Sequence, residues 1–160
     1  MHIDYYESPV GILRIRADEK GITDLNIVRS MDESPNPNPI ITASKTQLDL
    51  YFAGESKGFD LPLNLESWSD FYKKVWAELV NIPFGRTVSY LDIAKKLGDP
   101  KSTRAVGMAN GKNPIAIIVP CHRVIGSDGS LTGYAYGTEV KRKLLALENP
   151  KEYSVNGVLF

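Results

Sequence analysis

The sequence predicts an α+β fold, with an N-terminal α/β part over residues 1–66 and a mostly helical part over residues 67–160. Three observations predict it. Apolar and polar residues alternate over residues 11–16, as in a strand with one buried face. From Ser69 onward the apolar residues recur at helical spacing instead, with cap residues ahead of the runs. The charge balance also changes: residues 1–67 hold six basic and eleven acidic side chains, and the rest hold thirteen and eight.

The elements follow in order. Asp18, Glu19, Lys20 and Gly21 read as a turn, and residues 22–28 as the second strand of a hairpin. Prolines at 35, 37 and 39 make residues 34–39 a loop by composition. Residues 42–52 have helical spacing, with Ser44 as a candidate cap and Gly54 as a stop. Residues 59–65 read as a short extended stretch holding Pro62. Ser69 is a candidate cap for a helix over 70–80, with Phe71, Val75, Trp76 and Leu79 on one face. Pro83, Phe84 and Gly85 end it. A short helix over 89–97 has Ser89 and Asp92 in a capping-box relation. Gly98, Asp99 and Pro100 turn the chain into a third helix over 102–110, rich in small residues. Two short helices about a Gly-containing turn, the second opening near Lys101 and Arg104, make a helix-turn-helix pattern. Residues 115–119 read as a buried strand that delivers Pro120, Cys121, His122 and Arg123. A Gly- and Ser-rich loop over 126–137 leads to a last helix over 138–147, which carries Lys141, Arg142 and Lys143.

Composition limits the function. The chain has 160 residues, 42% apolar and 24% charged, as in a globular protein long enough to bury a core. It has no apolar run of about 18 residues that could span a membrane. Met1, His2, Ile3, Asp4 and Tyr5 lack the basic and apolar regions of a signal peptide, so a cytoplasmic protein is expected; the fold needs no partner, and a monomer is expected. One cysteine cannot form an internal disulfide, and one Cys with two His is too few for a Cys/His zinc site. No metal and no cofactor are expected. Net charge is zero, but the basic C-terminal part is where phosphate contacts are expected, if the asymmetry is more than two solvated faces.

Cys121 beside His122 is the candidate chemistry. A thiolate is the nucleophile, and a free Cys titrates near about 8.5. Lowering that value takes a base or a positive field, such as His122, Arg123 or a helix N-terminus. The competing reading is a small buried hydrophobe. Neighbours on an extended chain point opposite ways, so the pair needs a bend or a bridging water to communicate.

Pro120, Cys121, His122, Arg123 and Val124, preceded by Asn113 and Pro114 and followed by Gly133 and Tyr134, resemble the active-site signature of the O6-alkylguanine-DNA alkyltransferases. The resemblance covers nearly the whole chain. Residues 71–76, Pro83-Phe84-Gly85, Val88-Ser89-Tyr90, Arg104-Ala105-Val106-Gly107 and Lys143-Leu144-Leu145 fall in the family's order, as do Ser8-Pro9-Val10-Gly11 and Tyr51-Phe52-Ala53-Gly54 of its bacterial members.

The resemblance implies a ribonuclease-H-like N-terminal subdomain and single-turnover repair of DNA by a methylated-DNA–protein-cysteine methyltransferase. Cys121 would take the alkyl group from O6-alkylguanine, and possible substrates extend to O4-alkylthymine. His122, a water and Glu148 would relay the thiol proton, and Asn113 would brace the turn. The helix-turn-helix would enter the minor groove of double-stranded DNA. Arg104 would fill the stack left by the flipped base, with Tyr90, Ser127 and Arg123 as further DNA contacts. Tyr90 would also offer its phenol proton to the departing base. Val124, Tyr134, Ala135 and Tyr136 would line the pocket. The physics agrees independently: the O6 substituent of a paired guanine lies inside the duplex, so the base must be flipped out to be reached.

Read from position alone, Tyr90 is a core aromatic, Arg104 a surface cation, Glu148 a solvated residue and Asn113 an ordinary turn residue. The pattern also departs from the family. Some members carry serine at Ala135 and often glycine at Tyr136, so the ring of Tyr136 is expected to narrow the pocket against bulky adducts. The structural-zinc cysteines of some relatives have no counterpart. Two other readings stand beside the repair enzyme. A non-catalytic alkyl-lesion binding protein would hold lesion DNA without transfer, and a helix-turn-helix regulator would prefer one DNA sequence.

Overall fold

In the computed structural model, which describes residues 1–153, the chain opens with a three-stranded antiparallel sheet. Its strands are β1 (His2–Ser8), β2 (Gly11–Ala17) and β3 (Ile22–Val28), in that spatial order. Leu13, Ile15 and Ala17 of β2 are fully buried, the period-two pattern of a sheet with one covered face. The turn between β2 and β3 is held by the Asp18 carboxylate, which accepts from the backbone N–H groups of Lys20 and Gly21. Strand β1 carries its own alternation, with Ile3 and Tyr5 buried.

Helix α1 (Pro39–Phe52) starts earlier than its spacing predicts. Asn38, not Ser44, is the N-cap, its side chain accepting from Ile41 N–H at 3.0 Å. Pro39 takes the first helical position, where a missing N–H costs nothing. Ser44 is buried inside the helix with Ile41, Leu48 and Tyr51.

Two compact units result. The first holds Met1–Glu66 together with Pro114–Ile118, and the second Ser67–Asn113 together with the chain from Val119 onward. A single boundary near residue 66 therefore misses the return of residues 114–118 to the sheet unit. That return also corrects the strand expected over 115–119. Only one parallel bridge forms, Leu25 with Ile115, through Leu25 N–H to Pro114 O and Ala116 N–H to Leu25 O. Beyond it the run folds into tight turns, Ile118 N–H to Ala116 O and Cys121 N–H to Val119 O. Ile117 sits at φ +71°, a strained setting for a β-branched residue that persists only where the surroundings over-determine it. Here it is 1% exposed.

The second unit is mostly helical. Helix α2 (Asp70–Val80) is capped by Ser69 as its sequence predicts, and buries Val75, Trp76 and Leu79. Phe71 stays 36% exposed, off that face. A two-residue strand β4 (Val88–Ser89) leads into α3 (Tyr90–Lys96), whose N-terminus has the predicted capping box. Gly98 at φ +88° and a 3-10 turn, Pro100–Ser102, lead into α4 (Thr103–Gly111). Trp76 donates from Nε1 to the Ala109 carbonyl at 2.8 Å, anchoring α2 to the end of α4. Strand β5 (Val124–Ile125) runs parallel to β4. Helix α5 (Thr138–Glu148) and the short α6 (Pro150–Tyr153) complete the described chain. Among the described residues no helix is long and apolar enough to cross a membrane.

Candidate active site

Cys121, His122 and Arg123 form one 3-10 turn rather than the end of a strand, and all three are buried. The turn supplies a bend that an extended chain would lack. Asn113 prepares it. Its Nδ2 donates to the Val119 carbonyl at 2.8 Å, closing the loop that the chain makes between the two residues. Asn113 also reaches the Cys121 side chain.

Behind the cysteine lies a buried charge network. His122 Nε2 stands 2.7 Å from Glu148 Oε2. Arg123 forks onto the same carboxylate, Nε to Oε1 at 2.8 Å and Nη2 to Oε2 at 3.1 Å. Its Nη1 donates to the Ile82 carbonyl at 2.8 Å, and its guanidinium lies 5.7 Å from the Phe84 ring centroid. Burial alone would raise the Glu148 pKa, but His122 and Arg123 outweigh it and hold the carboxyl far below its usual range. An ionised carboxylate only accepts, so Nε2 carries the ring proton in neutral His122. Nδ1 is then a bare acceptor, buried and without a hydrogen-bond partner among the described residues.

The thiol itself is perturbed upward. Burial pushes Cys121 up to about 11, against smaller lowering effects from Asn113 and Lys141. His122 and Arg123, though adjacent, are not among the groups that lower it. At rest Cys121 is a protonated thiol.

Lys141 is a buried neighbour of the site that its place among the charges of α5 conceals. It is fully buried, with Nζ 2.6 Å from the Val124 carbonyl, 3.4 Å from the Thr132 carbonyl and 5.9 Å from the Tyr90 ring centroid. Burial lowers its pKa to about 8, with the cysteine acting in the opposite sense. A signal was present. Lys141, Leu144, Leu145 and Glu148 fall at i, i+3, i+4 and i+7, the inward stripe of a helix, and all four are buried.

The remaining predicted residues separate into two groups. Tyr90 is half-buried and donates from its hydroxyl to the Thr132 carbonyl at 3.2 Å. Its pKa is raised by burial and by Cys121. Gly133, at φ +90°, passes so close that a Cβ there would lie 2.7 Å from the Tyr90 hydroxyl. Tyr134 and Val124 are buried, and the Tyr134 ring meets that of half-buried Tyr136 edge-on at 5.6 Å. Ala135 is exposed. Arg104 and Ser127 are exposed, well placed for an external partner. Arg123 is not: expected among the DNA contacts, it is 6% exposed with its guanidinium committed to Glu148 and Ile82. Among the described residues no group of three or more His, Cys, Asp or Glu side chains is placed to hold a metal ion.

A helix-turn-helix with a buried Cys-His-Glu array behind it defines a class of protein that brings a thiol to a nucleic acid. Comparison with known proteins specifies it. The family model for the 6-O-methylguanine DNA methyltransferase DNA binding domain matches residues 70–150, and that for the ribonuclease-like domain of the same proteins matches residues 1–65. A methylated-DNA–protein-cysteine methyltransferase of Methanosarcina acetivorans is 46% identical, over 92% of this chain and 98% of its own. The constitutive enzyme of Bacillus subtilis is 44% identical, over 91% and 96%. Among solved structures, Mycobacterium tuberculosis OGT in complex with DNA superposes with a TM-score of 0.85 at 43% identity, covering 99% of this chain and 98% of that one. The chain belongs to the 6-O-methylguanine DNA methyltransferase family.

Proposed function

We propose that this protein repairs DNA by direct reversal, moving an alkyl group from O6 of guanine in double-stranded DNA to Cys121, once per molecule, in the cytoplasm. The observation that carries the reading is the His122–Glu148 pair behind the thiol. Glu148, kept ionised, fixes the Nε2–H tautomer, so Nδ1 is left as the free base of the ring. Through a bridging water, Nδ1 takes the thiol proton. The sulfur then attacks the alkyl carbon. A C–S bond forms, the C–O6 bond breaks, and its electron pair leaves on the guanine, which takes a proton from the Tyr90 phenol. The thioether is not hydrolysed, which makes the reaction stoichiometric.

The helix-turn-helix offers the DNA surface. Exposed Arg104, Ala105 and Met108 share one face of α4, small or flexible enough for a close approach to the minor groove. Arg104 fills the stack vacated by the flipped base, and Ser127 contacts the backbone. Asn113 braces the cysteine turn, and Val124, Tyr134, Ala135 and Tyr136 line the pocket. The high thiol pKa supports a site that stays quiet until a lesion enters. The experiment is mass spectrometry after incubation with O6-methylguanine DNA. A gain of one methylene on the Cys121 peptide is expected. Tight binding without transfer would favour a lesion-binding protein instead, and transfer to any other residue rejects the reading.

A further inference from the structure

Two γ-turns of opposite hand lead the chain into Cys121. In the first, Ile118 N–H donates to the Ala116 carbonyl at 2.8 Å around Ile117, whose φ is +71°. A γ-turn with a positive central φ is the rare and strained form. In the second, Cys121 N–H donates to the Val119 carbonyl at 2.8 Å around Pro120, at φ −81° and ψ 64°. This is the common, relaxed form, and the proline ring suits its φ. The strain of the pair falls on Ile117, the one non-glycine residue at positive φ among the described residues.

Both turns are anchored. Ahead of Ile117, the Ala116 N–H is taken by the Leu25 carbonyl at 3.0 Å. Beyond it, the Val119 carbonyl accepts Asn113 Nδ2 as well as the Cys121 N–H, each at 2.8 Å. Ala116, Ile117 and Val119 are each 1% exposed. Glycine would take φ +71° at no steric cost, yet the position holds a β-branched residue, the type for which positive φ costs most. The chain thus keeps a costly conformation four positions before its nucleophile.

We infer that Ile117 is a positioning residue: its buried, branched side chain locks the first γ-turn in one conformation, and the locked turn pair aims the Cys121 thiol at the expense of stability. The inference rests on the alkyl-transfer reading above. Strain of this kind persists only where the surroundings over-determine it, and beside a reacting group it pre-organises that group. A relaxed backbone at residue 117 gives the thiol more directions to point in. Stability and transfer rate should then move in opposite senses.

The test compares Ile117→Gly with Ile117→Ala. Both lose the buried side chain, and they differ by the one methyl group that makes positive φ costly. At an unstrained position the glycine variant would melt lower, because its unfolded chain is freer. Here it should melt about 3 °C higher than the alanine variant. Its single-turnover transfer from O6-methylguanine DNA, at saturating DNA, should be about tenfold slower than that of the alanine variant, with the half-saturating DNA concentration unchanged. A merely structural role would make the less stable variant the slower one. A glycine variant that melts no higher than the alanine variant overturns the inference, and so does one that transfers as fast. If near-ultraviolet circular dichroism shows that the two do not fold, Ile117→Leu, isomeric with wild type but unbranched at Cβ, replaces them. Its saturated rate should fall at least about threefold below wild type, and an equal rate overturns the inference. Absence of transfer in wild type is the separate failure of the alkyl-transfer reading, and the melting comparison does not depend on it.

Discussion

His122 Nε2 and Glu148 Oε2 stand 2.7 Å apart in a space closed to solvent, and Arg123 forks onto the same carboxylate. The three side chains are set by different elements, the 3-10 turn and the end of α5. Glu148→Gln keeps the shape and removes the charge. The variant no longer fixes the tautomer and leaves Arg123 unpaired in the interior. Transfer should slow on the order of 10²-fold, the usual contribution of a positioned base. Stability should fall by about 3 kcal/mol, as when one partner of a buried pair is lost.

The pH dependence of that loss has a definite sign. The folded Glu148 pKa is depressed below its ordinary value of 4.5. As pH falls, the unfolded chain takes up this proton first. The stabilisation is therefore complete above pH 4.5 and erodes as the medium becomes more acid. Urea denaturation at pH 7, 5 and 3.5 should show wild type converging on Glu148→Gln. A constant gap would show that the charge of Glu148 does not supply it.

Cys121, held up to about 11 by burial, should be slow toward iodoacetamide in the protein without DNA. Its alkylation rate should rise about tenfold per pH unit between 7 and 10, tracking the thiolate fraction. The urea-unfolded chain should level off near the pKa of a free thiol. Peptide mass spectrometry reads both. A folded-state plateau below pH 9 would mean a thiolate already present at rest.

Much of this site was legible one residue at a time. The Ser69 cap, the Ser89–Asp92 capping box and the hairpin depend on neighbours within a few positions, and local spacing specifies them. Residues 115–119 were not legible, because an apolar run records burial but not direction, and the excursion to Leu25 turns on contacts some 90 positions away. Arg123 read as a DNA contact and Lys141 as one of three cations on the last helix, whereas both are buried, against the ordinary fate of those residue types. Their burial depends on the Ile82, Val124 and Thr132 carbonyls, which no pattern around 123 or 141 announces. The sequence named groups that could lower the thiol pKa, but not the burial that raises it, because burial depends on contacts made across the fold.

Lys141→Met should separate the electrostatic role of the lysine from its packing. Burial lowers the folded-state pKa of Lys141 to about 8 from 10.5. Between those values the unfolded chain binds the extra proton, so this group favours the folded state increasingly as pH rises. Thermal melting should therefore show wild type gaining on Lys141→Met from pH 8 to 10, with the methionine variant relatively better below pH 8. The same variant loses the cation that opposes thiol burial, so its alkylation by iodoacetamide at pH 8 should be slower than that of wild type. Parallel melting curves across this range would show that Lys141 does not titrate between the two values.

On the proposed reading, Tyr136 bounds the adduct side of the site. Its ring leans edge-on against Tyr134 at 5.6 Å, in the same segment as exposed Ala135. A methyl group needs little room there, whereas a benzyl group competes with the phenol for the same volume. Tyr136→Gly should therefore speed inactivation by a benzyl-type pseudosubstrate by about tenfold, the scale on which pocket shape discriminates apolar groups. Methyl transfer from O6-methylguanine DNA should change far less. Glycine also frees the backbone, so Tyr136→Ala is the control: it removes the ring and keeps the restriction on φ and ψ. If both variants accelerate the benzyl reaction alike, the ring is the barrier. If only the glycine variant does, loop freedom is responsible, and if neither does, Tyr136 does not set the size limit.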